Sequence, residues 1–155
     1  MSDLFVIGVD PGQTTGVVGV PFVDGRAVGE GAFVVQTTSG LVLDVIGRLV
    51  HLAGSAAVHI AVEKFVVGPR ASRSGTPAAG RTARELIAAI HREYAPVERP
   101  AVEVKRWATD KRLDAAGLLD PTKGMGHARD AARHALFAAV RDGRVPDPLS
   151  RKATR

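Results

Sequence analysis

The order of elements in the sequence predicts an α/β fold, a mixed five-stranded sheet whose first three strands are antiparallel and whose faces are flanked by helices. Three β-rich runs open the chain, and the links between them are too short for a crossover, so the runs pair antiparallel. From residue 40 onward helical and β-rich patterns alternate, which brings later strands in parallel to the first. The 155 residues, 45% of them hydrophobic, are enough for one domain with a sizeable core.

The first three strands are read over 4–10 (LFVIGVD), 16–23 (GVVGVPFV) and 31–36 (GAFVVQ). Val42, Val45, Ile46, Leu49 and Leu52 then recur at helical spacing, predicting a helix over 40–53 with Ser39 as its N-cap. A fourth strand follows over 57–67 (AVHIAVEKFVV). Residues 68–81, rich in glycine, proline and arginine, read as a basic loop running into a helix, with Thr76 and Pro77 at its start. That helix extends to about Tyr94 and turns Ala83, Leu86, Ile87 and Ile90 inward. AVEVK, 101–105, reads as the fifth strand, while 106–124 mixes helical and turn signals and is left open. An alanine-rich helix over 127–143 closes the domain, with Gly143 at its end. The expected division is a domain over 1–143 and a basic tail over 144–155.

The formal net charge of +5 is unevenly spread, with residues 1–63 carrying −4 and residues 64–155 carrying +9. A basic half of this kind suits a polyanion, because phosphate contacts by Lys and Arg release counterions. No apolar run approaches a membrane span and no secretory signal is recognised, so a soluble cytoplasmic protein is expected. Without cysteine there is neither a disulfide framework nor a thiolate metal site. Any metal must be held by oxygen or imidazole, which favours hard ions such as Mg²⁺ or Mn²⁺.

Charged groups stand where the core strands end. Asp10 closes the first strand, Glu63 lies near the end of the fourth, and His127 and Asp130 open the last helix, three residues apart and so on one face. In an α/β sheet, strand ends and neighbouring helix termini are where chemistry is presented. Carboxylates gathered there repel, at a cost on the order of 3 kcal/mol per pair about 5 Å apart at an effective dielectric near 20. A divalent metal removes the conflict, and two such ions can stabilise the attacking and leaving oxygens of a phosphodiester. Asp10 is then the bridging ligand, and Gly12 and Gly16 leave room for a nucleic-acid backbone beside it.

VIGVDPGQTTG (6–16), IAVEKF (60–65) and HARDAARHAL (127–136) resemble the three acidic motifs of RuvC-type Holliday junction resolvases, in particular small phage-like members, within the RNase H-like superfamily. The resemblance implies an RNase H-like fold and a homodimeric endonuclease with two Mg²⁺ ions per site, Mn²⁺ being a possible substitute. It further implies paired nicks in four-way DNA junctions; in-line attack at the expected metal site would leave a 5′-phosphate and a 3′-hydroxyl. Asp10, Glu63, His127 and Asp130 would form its catalytic and metal site. Lys105, Arg106, Lys111, Arg112 and Lys123 fall in or near the segment that resembles the family's DNA-contacting stretch. Arg70, Arg73, Arg81 and Arg84 are read as lining DNA and Phe65 as stacking on an exposed base, with part of the 77–94 helix available to a dimer. RWATDKRLDAAG replaces the glycine-rich sequence usual in the DNA-contacting segment, and Phe65 stands earlier than the aromatic of bacterial members.

Taken singly, each residue has a plainer reading. Asp10 sits in a common turn triplet, Glu63 can pair with Lys64 or an arginine, and Asp130 suits a helix N-terminus. His51, His59, His91 and His134 have no motif context and read as ordinary surface or core histidines. Alternatives that stay open at this level are a related nuclease acting on flaps, hybrids or replication branches, an actin-like ATPase, and a non-catalytic junction-binding protein.

Overall fold

A computed structural model describes residues 3–66, 77–142 and 144–150. Strands β1 (Leu4–Asp10), β2 (Thr14–Val23), β3 (Arg26–Ala27), β4 (Phe33–Thr38), β5 (Ala57–Lys64) and β6 (Val97–Pro100) form one mixed sheet. Its order is β3-β2-β1-β5-β6, with β4 pairing β2 as well. β4 takes Thr14–Gly19 of β2 and β3 takes Phe22 and Val23, so the two share one edge of a sheet five strands wide. β1 runs antiparallel to β2 and parallel to β5, and β5 runs parallel to β6. The sheet and the helices that cover it are an RNase H-like arrangement.

Helices α1 (Val42–Leu52) and α2 (Pro77–Glu93) cover one face. Phe5, Ile7 and Val9 of β1 point into that layer, against Ile46, Leu49, Leu86, Ile87 and Ile90. Leu4 and Val6 point the other way, into a layer closed by α5 (Gly126–Arg141) and Leu113 of α4 (Asp110–Ala115). β1 is therefore buried on both faces, as its unbroken apolar run requires. Each large side chain fully buried there contributes about 1.5–3 kcal/mol.

The expected stripe on α2 is observed, with Ala83, Leu86, Ile87 and Ile90 all buried. On α1 the stripe is narrower than expected, since Leu52 is 70% exposed. Ser39 does not cap α1; it begins a 3-10 turn, Ser39–Leu41, and the helix starts after it with no side-chain cap. Thr76 and Gly143 lie outside the described residues.

The expected strand over 101–105 is instead helix α3 (Ala101–Trp107), and the edge strand is the preceding β6. Pro100 ends the strand with an extended backbone and stands at the N-cap position of the helix. The valines that suggested alternation have different fates, Val102 being 72% exposed and Val104 buried. Val104 packs with Ala108 and Phe137, a helical spacing rather than a strand one. The region left open, 106–124, holds α4, whose N-cap Thr109 accepts the Arg112 N–H, and a 3-10 turn at Asp120–Thr122.

α5 presents Ala128, Ala131, Ala132, Ala135, Ala138 and Ala139 to the sheet, all buried, and small side chains on both surfaces bring its backbone close. A Cβ on Gly8 would lie 1.9 Å from the carbonyl oxygen of Ala131, and one on Gly16 would lie 2.1 Å from that of His127. Gly16, expected to admit a nucleic-acid backbone, thus admits the main chain of α5 instead. At the far end of the helix, Asp142 lies 3.1 Å from His59 Nε2 through one carboxylate oxygen and pairs with Arg99 through the other. Beyond it Val145 is buried in the α5 layer, and Asp147 accepts hydrogen bonds from the Arg112 guanidinium at 3.0–3.2 Å. Among the described residues no helix is long and apolar enough to cross a membrane.

Candidate metal centre

Parallel pairing of β1 with β5 matches Val9 to Val62, so Asp10 and Glu63, the next residues along, leave the sheet side by side. Both point to the face that α5 covers, the side shared by Gly8 and Ala61. Asp130, in the second turn of α5, completes the group. Ligand oxygens of Asp10, Glu63 and Asp130 all lie within 4.8 Å of one another.

The three carboxylates are compensated differently. Asp10 is buried, and its Oδ2 lies 2.9 Å from His127 Nδ1. Burial first, then the charge of Glu63 and a smaller contribution from Asp130, push the Asp10 carboxyl up to about 6 from 3.8, against the lowering effect of His127. Asp130 is held from both sides, by Lys105 Nζ at 2.9 Å and by Arg133 Nη1 at 2.8 Å. Arg133 in turn bonds Asp110 and the carbonyl of Ala108, which ties Asp130 to the region of α3 and α4. Among the described residues Glu63 has the weakest compensation: its Oε2 is buried without a hydrogen bond, 3.3 Å from His134 Nε2.

This donor set fits a hard divalent cation. It offers three carboxylates and no sulfur, which suits Mg²⁺ or Mn²⁺. Asp10 is raised by burial first and by the charge of Glu63 second, and a Glu63 oxygen is buried without a partner, so a cation among the three would stabilise the ionised forms of both.

Gln36 fixes the near end of α5 from across the sheet. Its Oε1, on β4, accepts the backbone N–H groups of His127 at 2.9 Å and Ala128 at 3.2 Å. Met125, at the N-cap position, supplies no side-chain cap, so a glutamine on a distant strand satisfies donors that a local Ser or Asp would usually take. Gln36→Ala is expected to lower stability by about 1 kcal/mol, in line with loss of an N-cap. Urea unfolding measures it, and an unchanged midpoint would show that the cap carries no weight.

The sequence-predicted residues fall into three groups. Asp10, Glu63 and Asp130 meet, and His127 joins them through Asp10 rather than as a fourth member of the cluster. Lys105 reaches the site through Asp130, while Arg106, Lys111 and Lys123 are exposed on or beyond α3 and α4. Arg112 is half-buried, stacked 4.6 Å from the centre of the Trp107 ring and paired with Asp147. Arg81 and Arg84 are exposed on α2, Arg84 lying 5.5 Å from the centre of the Phe65 ring. Phe65 itself packs against the core layer beneath α2. Arg70 and Arg73 lie outside the described residues. Gln36, Arg133 and His134 were not among the expected site residues. His134 alone had a usable signal, standing four and seven residues after Asp130 and His127 on one helical face.

The chain matches no protein-family model and shows no significant similarity to a curated protein. Its class therefore rests on fold and site. An RNase H-like sheet with an acidic cluster able to hold a divalent metal is consistent with a metal-dependent nuclease of the RNase H-like superfamily.

Proposed function

We propose that the protein is an endonuclease that resolves four-way DNA junctions, acting as a homodimer that makes paired nicks. The observation that carries this reading is the convergence of Asp10, Glu63 and Asp130 within 4.8 Å from three separate segments, each of which has the motif context of RuvC-type resolvases. The basic balance of residues 64–155 supports a nucleic-acid substrate.

Asp10, Glu63 and Asp130 would hold the metal, each offering a carboxylate oxygen within 4.8 Å of the other two. Bound there, a pair of divalent cations would supply charge stabilisation for an in-line displacement at a phosphodiester. His127 keeps Nδ1–H on Asp10, which fixes the ring and its tautomer. Its side chain is 53% exposed, which leaves Nε2 free to take a proton from the attacking water. Lys105, paired with Asp130 and half-exposed, would be placed to reach a phosphate oxygen beside the metal site.

The test is nicking of a synthetic mobile four-way junction beside matched linear duplex, flap and RNA/DNA hybrid substrates, with Mg²⁺ and with EDTA. Paired symmetric nicks in the junction alone, lost in EDTA, are expected. Cleavage confined to flaps or hybrids would replace the junction reading by that of a related nuclease, and tight binding with no cleavage would leave a junction-binding protein.

A further inference from the structure

We propose that His134 is a positioning residue for the metal centre, donating Nε2–H to Glu63 Oε2 and thereby presenting the other Glu63 oxygen to the cation. The inference deepens the metal reading and rests on it. His134 is 2% exposed, in the middle of α5, and its Nε2 lies 3.3 Å from Glu63 Oε2. Both atoms are buried, and neither has a hydrogen-bond partner among the described residues. An unsatisfied buried carboxylate oxygen is costly, and so is an unsatisfied ring nitrogen. Here the two face each other at a separation where only alignment is missing.

The rest of the centre shows why this contact matters. Asp10 is oriented by His127, and Asp130 by Lys105 and Arg133. Glu63 has no comparable hydrogen bond, although its side chain has more ways to turn than either aspartate. Oε2 is directed into the protein against an imidazole, while 24% of the Glu63 side chain is exposed. A small rotation of the carboxylate would bring Oε2 into line with an Nε2–H and leave Oε1 for the cation. Ligating carboxylates are commonly held by such outer hydrogen bonds, and loss of one typically weakens metal binding about 10–100-fold.

The experiment titrates Mn²⁺ into the DNA-free protein, followed by electron paramagnetic resonance, for wild type, His134→Leu and His134→Gln, with circular dichroism to establish folding. Leu keeps the buried volume without a donor, and Gln restores an N–H. Binding is expected to weaken about 10–100-fold in His134→Leu and to recover largely in His134→Gln. A second measurement needs no variant: ¹⁵N spectra of the wild-type imidazoles with Mg²⁺ bound should show the His134 proton on Nε2. A folded His134→Leu protein that binds Mn²⁺ as wild type does, or a bare Nε2 in the loaded wild type, would overturn the proposal while leaving the metal site intact. No binding by the wild type would remove the metal reading, and this one with it. If His134→Leu does not fold, the tautomer in the wild type decides.

Discussion

Asp10→Asn is expected to lose metal-dependent cleavage while making the metal-free protein more stable at neutral pH. The activity loss follows from the position of Asp10 within 4.8 Å of both other carboxylates of the cluster. Charge stabilisation by a bound metal is worth several kcal/mol, so its loss lowers the rate roughly a thousandfold or more. On the proposed function, junction binding in EDTA should survive, because the substitution removes no positive charge.

The stability gain has the opposite origin. In the folded protein the Asp10 carboxyl is raised to about 6 from 3.8, by burial above all and by the nearby charge of Glu63. A raised carboxyl means that the folded state holds the proton more tightly than the unfolded one does. The stabilisation is complete below the unfolded value and is lost as pH rises through the folded value, so keeping Asp10 ionised at pH 7 costs about 3 kcal/mol. Asparagine carries no such charge. In EDTA the variant should therefore unfold at higher urea than wild type at pH 7, the gap closing towards pH 4. Saturating Mg²⁺ should close it from the other side by stabilising wild type alone. A gap independent of pH would show that the carboxylate is not under this electrostatic tension.

Gly8→Ala should be among the most damaging single-methyl changes in the chain. Its Cβ would stand 1.9 Å from the Ala131 carbonyl oxygen, less than any real contact, and that neighbour is helix backbone rather than a side chain able to turn away. α5 must lift off the sheet. The expected cost is about 3 kcal/mol or more, at the upper end for overpacking. Metal binding should weaken as well, since the shift carries Asp130 away from Asp10. Gly40→Ala is the control, because a Cβ there meets nothing within 4 Å, and it should change stability by less than about 0.5 kcal/mol. Urea unfolding and Mn²⁺ titration on both proteins would show it; equal midpoints would mean that α5 does not sit as closely on β1 as described.

Much of this architecture is legible in the chain because it is written in runs. Seven consecutive buried residues of β1 and the inward stripe of α2 announce themselves by pattern. AVEVK misled because five residues with two valines fit a strand as well as a turn and a half of helix, and the decisive fact, that Val102 faces solvent, belongs to tertiary structure. Within the site, Asp10 and Glu63 were legible as charges interrupting apolar strands, and Asp130 by its spacing from His127. Gln36 was not, since a polar residue on an edge strand carries no mark that it will cap a helix about 90 residues later in the chain. Arg133 was hidden in an alanine-rich helix, and His134 carried only its spacing from His127 and Asp130, which gains meaning once that face is known to meet Glu63.

The anchors at the two ends of α5 give the helix the mechanics of a beam on two supports. Its 16 residues span about 24 Å, with Gln36 holding one end and His59 and Arg99 gripping Asp142 beyond the other. Supported at the near end alone, a tilt of about 5° would carry Asp130, about 6 Å along, some 0.5 Å sideways, more than the roughly 0.2 Å that metal coordination tolerates. With the far support in place, a displacement of about 0.5 Å at Asp142 reaches Asp130 reduced about fourfold, in proportion to the distance along the axis. An ion pair about 18 Å farther along the helix axis than Asp130 thus sets the dimensional tolerance of the centre.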